Sequence, residues 1–184
     1  MKHKRRFTFM TGRSDLFNVL VILTNNSFIT VVKKQHTVKN NILINMLCQI
    51  LFLTDTVEGK RHDKKLADES EYHLPSGSKL GQDTGFQGFR LDNVAILQPK
   101  KKPRGKPLSD LDKHINQWLS SIRVRIEHTI GSVKRYRIVK DKIRNWKPGF
   151  KDAVFETCCG LHNFRLNFRP WHYQPIQLHL FVPF

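Results

Sequence analysis

Acidic residues are scarce in this chain. Its 184 residues carry 15 Asp and Glu against 32 Lys and Arg, a formal net charge of +17. An excess of that size opposes compaction until a polyanion relieves it. Nucleic acid is the leading candidate, ahead of an anionic membrane surface. Cysteine is scarce too. Cys48, Cys158 and Cys159 make no disulfide framework, and two adjacent cysteines form no ordinary bridge, which suits a reducing cytoplasm. No apolar run reaches the roughly 20 residues that a membrane span needs, so no membrane role is expected. Neither a Gly-x-Gly-x-x-Gly nor a Gly-Lys-Ser/Thr element is present, which removes support for dinucleotide and P-loop readings. MKHKRR precedes the apolar LFNVLVIL, but TGRSD intervenes and no small-residue cleavage site follows, so a secretory signal is not expected. There is no internal repeat. The hydrophobic fraction of 39% is adequate for one folded domain.

What is there reads as strands first and long helices last. Leu16–Leu23 and Ser27–Val32 are rich in β-formers, and Thr24-Asn25-Asn26 between them suggests a hairpin. His36–Asn45 and Ile50–Thr54 read as a second strand pair. Glu58–Ser70 turns polar and helix-compatible after Gly59. Lys79–Asp83 is a short strand-like segment followed by the glycine-bracketed turn TGFQG, and Val94–Leu97 is a further short strand. Pro99–Pro107 (PKKKPRGKP) holds five cations and three prolines, so it is expected as an exposed basic loop. Ser109 is a good N-cap for a long helix, with Asp110 and Asp112 in its first turn. Asn145–Gly149 reads as a turn and Phe150–Leu166 as a closing helix. Cys158, Cys159 and His162 share that helix. Without a second Cys or His pair they are expected to pack in the core.

The run LSDLDKHINQWLSSIRVRIEHTIGSVKRYR, residues 108–137, is the most informative segment. Leu111, Ile115, Leu119, Ile122, Ile126, Ile130 and Val133 recur at steps of three and four, one apolar stripe of an amphipathic helix. Arg123, Glu127 and Lys134 project from a neighbouring stripe. A carboxylate flanked by cations on a rigid helix can hold a divalent metal while the cations grip a phosphate backbone. The bland alternative is a salt-bridge ladder on a solvated face.

From Lys33 to about Leu166 the chain resembles the DDE superfamily of transposases and endonucleases, in its bacterial insertion-sequence and eukaryotic harbinger branch. The segments that carry the resemblance are KKQHTVKN, EGKRHDKKLADE, LPSGSKLGQDTGFQG, PKKKPRGK with LS after it, and RVRIEHTIGSVKRYRI. The last holds the spaced signature of Arg123, Glu127 and Lys134. The Tyr that usually stands three residues before the Arg is Ser120. The resemblance implies an α/β fold, an RNase H-like mixed sheet flanked by helices. It also implies carboxylates that bind Mg²⁺ or Mn²⁺, DNA as partner, and homo-oligomers in active enzymes. By position, Asp83 matches the second catalytic and metal-binding carboxylate and Glu127 the third. Lys100, Lys101, Lys102, Arg104 and Lys106 match a DNA-gripping loop. Arg123 and Lys134, with Arg135 and Arg137, match phosphate contacts.

One part of the pattern is missing. The family's first carboxylate belongs on the opening strand, and residues 1–32 contain a single acidic residue, Asp15, which precedes the β-rich run. Six residues along a strand is about 20 Å, so Asp15 is not expected to substitute. Asp55 and Asp63 lie near strand ends, but Asp63 belongs to the family's own HDKK segment and reads equally as a helix-start residue. The expected organisation is an atypical segment 1–32, a partial RNase H-like domain 33–166 and a tail 167–184. The reading frame is taken to begin inside a transposase gene, with Leu16–Leu23 replacing the first strand without supplying its carboxylate. Function is expected to be a DDE-type transposase or DNA endonuclease with impaired chemistry, in the cytoplasm. The alternatives are a non-catalytic DNA-binding remnant or domesticated accessory protein, and a basic RNA-binding protein. In the last case Phe86, Phe89, Trp118, Tyr136 and Trp146 would stack on bases.

Overall fold

A computed structural model describes residues 19–31, 34–141, 145 and 147–171. Strand β1 (Val19–Val31) pairs antiparallel with the whole length of β2 (Lys34–Asn45), from Leu20 opposite Asn45 to Val31 opposite Lys34. The sequence places a hairpin at Thr24-Asn25-Asn26; instead the strand runs straight through it. Twelve consecutive partners along β2 outweigh the local turn preference of Asn, because each adds a cross-strand contact. β2 then pairs antiparallel with β3 (Ile50–Leu53), with a register shift at Leu43/Ile44, and with the short β4 (Val57–Glu58). On the other side β1 runs parallel to β5 (Lys79–Gln82), which runs parallel to β6 (Ala95–Leu97). The sheet order is β3-β2-β1-β5-β6, with β4 on β2. This is the mixed α/β architecture expected, and β1 is its central strand.

Both faces of the sheet are covered, which explains why β2 is buried from Val38 to Asn45. Val38, Ile42 and Ile44 face one layer, formed by α2 (Asp110–Lys134), α3 (Arg137–Lys140) and α4 (Phe150–Phe168) through Ile122, Ile126, Val133, Val139, Phe155, Cys158 and Cys159. Leu43 faces the other layer, where α1 (Asp63–Asp68) and the loops around β5 supply Ala67, Phe86 and Phe89. The apolar stripe read on the long helix is only half core. Ile122, Ile126 and Val133 are buried, whereas Leu111 and Ile115, in the first turns of α2, are exposed. Ser109 caps α2 as expected, its side chain accepting from the Asp112 N–H.

Several buried polar groups of β2 find partners, although among the described residues Asn40 Oδ1 has none. Asn40 donates to the Thr54 carbonyl and to Thr56 Oγ1, and the Asn41 backbone N–H donates to Thr54 Oγ1. The turn after β2 is held by Asn45 Oδ1, which accepts from the N–H groups of Leu47 and Gln49. From α4, Asn163 bonds both the N–H and the carbonyl of Ile50, clamping the helix to β3. Cys158 and Cys159 pack in the core, as the sequence suggests.

Beside Asn163, His162 lies between the Ser132 hydroxyl (3.1 Å) and the Cys48 carbonyl (2.9 Å). Burial pulls the imidazole below its ordinary 6.5; the bond to the Cys48 carbonyl opposes this, and Arg165 and Arg135 add to it. The fold therefore favours the neutral ring. As pH falls, the unfolded chain takes up this proton first, so the contribution is complete above about pH 6.5 and is lost toward the lowered folded value. The melting temperature is expected to drop below pH 6.5, and a His162→Gln variant to show a flatter profile across that window. Identical profiles in thermal melts would assign the acid loss to other groups.

Candidate active site

Asp83 follows the last residue of β5 and opens the TGFQG turn. Its carbonyl accepts from the Phe86 N–H at 3.0 Å and from Gln98 Nε2 at 3.1 Å, which fixes the backbone carrying the carboxylate. The turn needs its glycines for two different reasons. At Gly85 a Cβ would lie 3.0 Å from Asp63 Oδ2, and Gly88 has a φ of +85°, in the left-handed region. Asp63 itself is the first residue of α1 and pairs with the buried Lys39 ammonium at 2.7 Å. Two sequence segments far apart, KKQHTVKN and HDKK, thus meet at one ion pair under the Asp83 turn. His62 makes no side-chain cap bond there.

On α2, Arg123 and Glu127 are one turn apart and pair through Arg123 Nε and Glu127 Oε1 at 3.2 Å. This much is the salt-bridge ladder of the bland reading. The guanidinium does more: its Nη1 lies 3.5 Å from Asp83 Oδ1 on the other element. Arg123 therefore brings Asp83 and Glu127 to one place from segments 44 positions apart. Asp83 is 30% exposed and Glu127 58%, so the site is a surface cleft rather than an enclosed cavity. Its walls are Gly81, Gln82, Pro99, Leu119, Ser120 and Ile122. Ser120, where the resemblance expects a Tyr, leaves that wall short.

The cations divide into groups. Lys101, Lys102, Arg104 and Lys106 are exposed along the loop. Lys100 is tied down: its ammonium pairs with Asp112 at 2.6 Å, and Asn116 bonds both its N–H and its carbonyl. Those bonds anchor the loop on α2. Lys134 ends α2 half-buried, and burial holds its ammonium below the ordinary lysine value. Arg135 is the exposed C-cap. Arg137 is not on the long helix; it starts α3 and pairs with Asp141. Of the aromatics, Phe86 and Phe89 are buried, and Trp118 and Tyr136 pack against the helical core, so these do not form a stacking platform. Trp146 lies outside the described residues.

A profile of DDE superfamily endonucleases matches residues 16–163. The chain belongs to that superfamily. It is also 28% identical over 132 residues to a probable transposase for insertion sequence element IS702 of Microchaete diplosiphon, covering 72% of this chain. The match spans 48% of that relative, about half its length. No solved structure matches.

DDE endonucleases typically use divalent metals, so the donor set bears on chemistry. Asp83 and Glu127 offer the carboxylate oxygens that hard ions prefer. Both are engaged with Arg123, and the neighbouring strand adds nothing: β1 is VLVILTNNSFITV, without an acidic residue. Asp15 lies outside the described residues. Asp63 is committed to Lys39, and among the described residues no group of three His, Cys, Asp or Glu is placed to hold a metal. The described residues do not fit a two-ion centre. Among the described residues no helix is long and apolar enough to cross a membrane.

Proposed function

We propose that this chain is a DDE-type transposase domain, RNase H-like in its sheet, that binds DNA and whose cutting and joining of phosphodiesters is impaired. The observation that carries this is the register beside Asp83. Ile22 of β1 is level with Gln82, the last residue of β5, so Leu23 follows that level on β1 as Asp83 follows it after β5. The family's first carboxylate belongs on that strand, and none is there. Asp83 and Glu127 are then a remnant pair of metal ligands, and Mg²⁺ or Mn²⁺ lacks the set that a working centre needs.

DNA binding is supported by the exposed loop cations Lys101, Lys102, Arg104 and Lys106, anchored through Lys100, together with Arg123, Lys134, Arg135 and Arg137 on the helical side. A charge of +17 makes such binding steeply salt-dependent. The test is Mn²⁺-dependent nicking of supercoiled DNA by the purified chain beside Asp83→Asn, with DNA binding measured across a salt series. We expect salt-sensitive binding and no nicking by either protein. Nicking that disappears in Asp83→Asn would establish a working site and refute the impairment.

A further inference from the structure

We infer that the Arg123 guanidinium is the resident counter-ion of the Asp83–Glu127 pair and stands in the place of a divalent cation, so that DNA binding by this chain is independent of metal. The inference rests on the reading of these two carboxylates as a remnant ligand pair. Its own basis is geometric. One side chain contacts both carboxylates through two different nitrogens, Nη1 toward Asp83 at 3.5 Å and Nε toward Glu127 at 3.2 Å. A planar guanidinium presents donors along separate edges and can span two carboxylates, which a point-charge ammonium does less well.

The charges explain why the cation would matter. Asp83 and Arg123 line the cleft walled by Pro99, the residue that opens the basic loop, and Glu127 joins them through Arg123. Two uncompensated carboxylates there would repel a phosphate backbone drawn in by Lys101 and Lys102. With Arg123 between them, one of the two negative charges is compensated inside the protein. A metal arriving at the same oxygens would have to displace the guanidinium or share the carboxylates with it, and either lowers its affinity.

Mn²⁺ titration of the DNA-free protein, read by the electron paramagnetic resonance of free ion, tests this directly. The wild type is expected to take up no Mn²⁺ at millimolar concentration, Arg123→Gln to bind one ion at least about tenfold more tightly, and Arg123→Gln/Glu127→Gln to lose it again. Arg123 is more than half exposed, so the substitution should leave the fold intact, and circular dichroism checks that. In the second measurement, DNA affinity is taken with and without Ca²⁺. The wild type should be indifferent to the ion, whereas Arg123→Gln should bind DNA weakly without it and recover with it. A side chain that only touched phosphate would give equal losses in both conditions, which would overturn the inference. So would equal Mn²⁺ uptake by wild type and Arg123→Gln, or no uptake by either. Failure of the wild type to bind DNA would sink the proposed function instead, and the DNA-free titration would still decide the role of Arg123.

Discussion

Replacing Lys101, Lys102 and Arg104 together by alanine is expected to weaken DNA binding roughly hundredfold at moderate salt and to lower the slope of log affinity against log salt by about 3. The loss should be the same for any DNA sequence, because cations on phosphates carry no base information. The structure singles out these three over their neighbour. Lys100 is already neutralised by Asp112, and its backbone is bonded to Asn116, so its ammonium anchors the loop. Lys100→Ala should therefore change the salt slope less than Lys101→Ala. Equal slopes for the two single variants would mean that the Lys100–Asp112 pair opens on DNA. An unchanged slope in the triple variant would remove the loop from the interface.

That distinction between adjacent lysines was not legible in PKKKPRGKP. Composition and the three prolines identify an exposed loop, but which cation is spent on the protein depends on Asp112 and Asn116 being brought beside it. The same holds for the site. Spacing places Arg123 and Glu127 on one helical stripe, and position after a strand singles out Asp83. Their meeting through one guanidinium depends on how α2 lies on the sheet, and no local pattern encodes it. The Lys39–Asp63 pair has the same character: two family segments, legible separately, whose contact under Gly85 is tertiary.

Where local and long-range terms compete, the sequence misleads. Thr24-Asn25-Asn26 has turn chemistry, yet its residues lie opposite Asn41, Asn40 and Lys39 in an unbroken ladder. Asn is unusual in a strand interior, and on β2 it is tolerated because Thr54, Thr56 and Gln49 take its hydrogen bonds. The stripe on α2 misleads in the opposite direction. Periodicity is uniform from Leu111 to Val133, but only the C-terminal part, Ile122 to Val133, packs into the core, and which part packs is set by other segments. Elements with both propensity and packing in agreement, such as β3, α4 and the Ser109 cap, are the ones that a reading of residues alone recovers.

The vacancy on β1 can be filled as a test of the whole account. Leu23 is opposite Ile42 on β2 and follows Ile22, which is level with Gln82, the residue before Asp83. Leu23→Asp would put a third carboxylate on the central strand at the height of Asp83. Without metal this costs stability, since a charge enters a strand whose neighbour Ile42 is fully buried, and a fall of several kcal/mol is a reasonable scale, about 3. Divalent metal should return much of it, because an ion bound only by the folded state stabilises by mass action. The expected result is a melting temperature that drops in Leu23→Asp, rises with Mn²⁺, and does neither in the wild type. Mn²⁺-dependent nicking should then appear where the wild type has none, and disappear again on adding Asp83→Asn. If Leu23→Asp is destabilised but indifferent to Mn²⁺, the missing carboxylate belongs elsewhere on β1, and Val21 and Asn25, one step of the strand repeat to either side, are the next positions to convert.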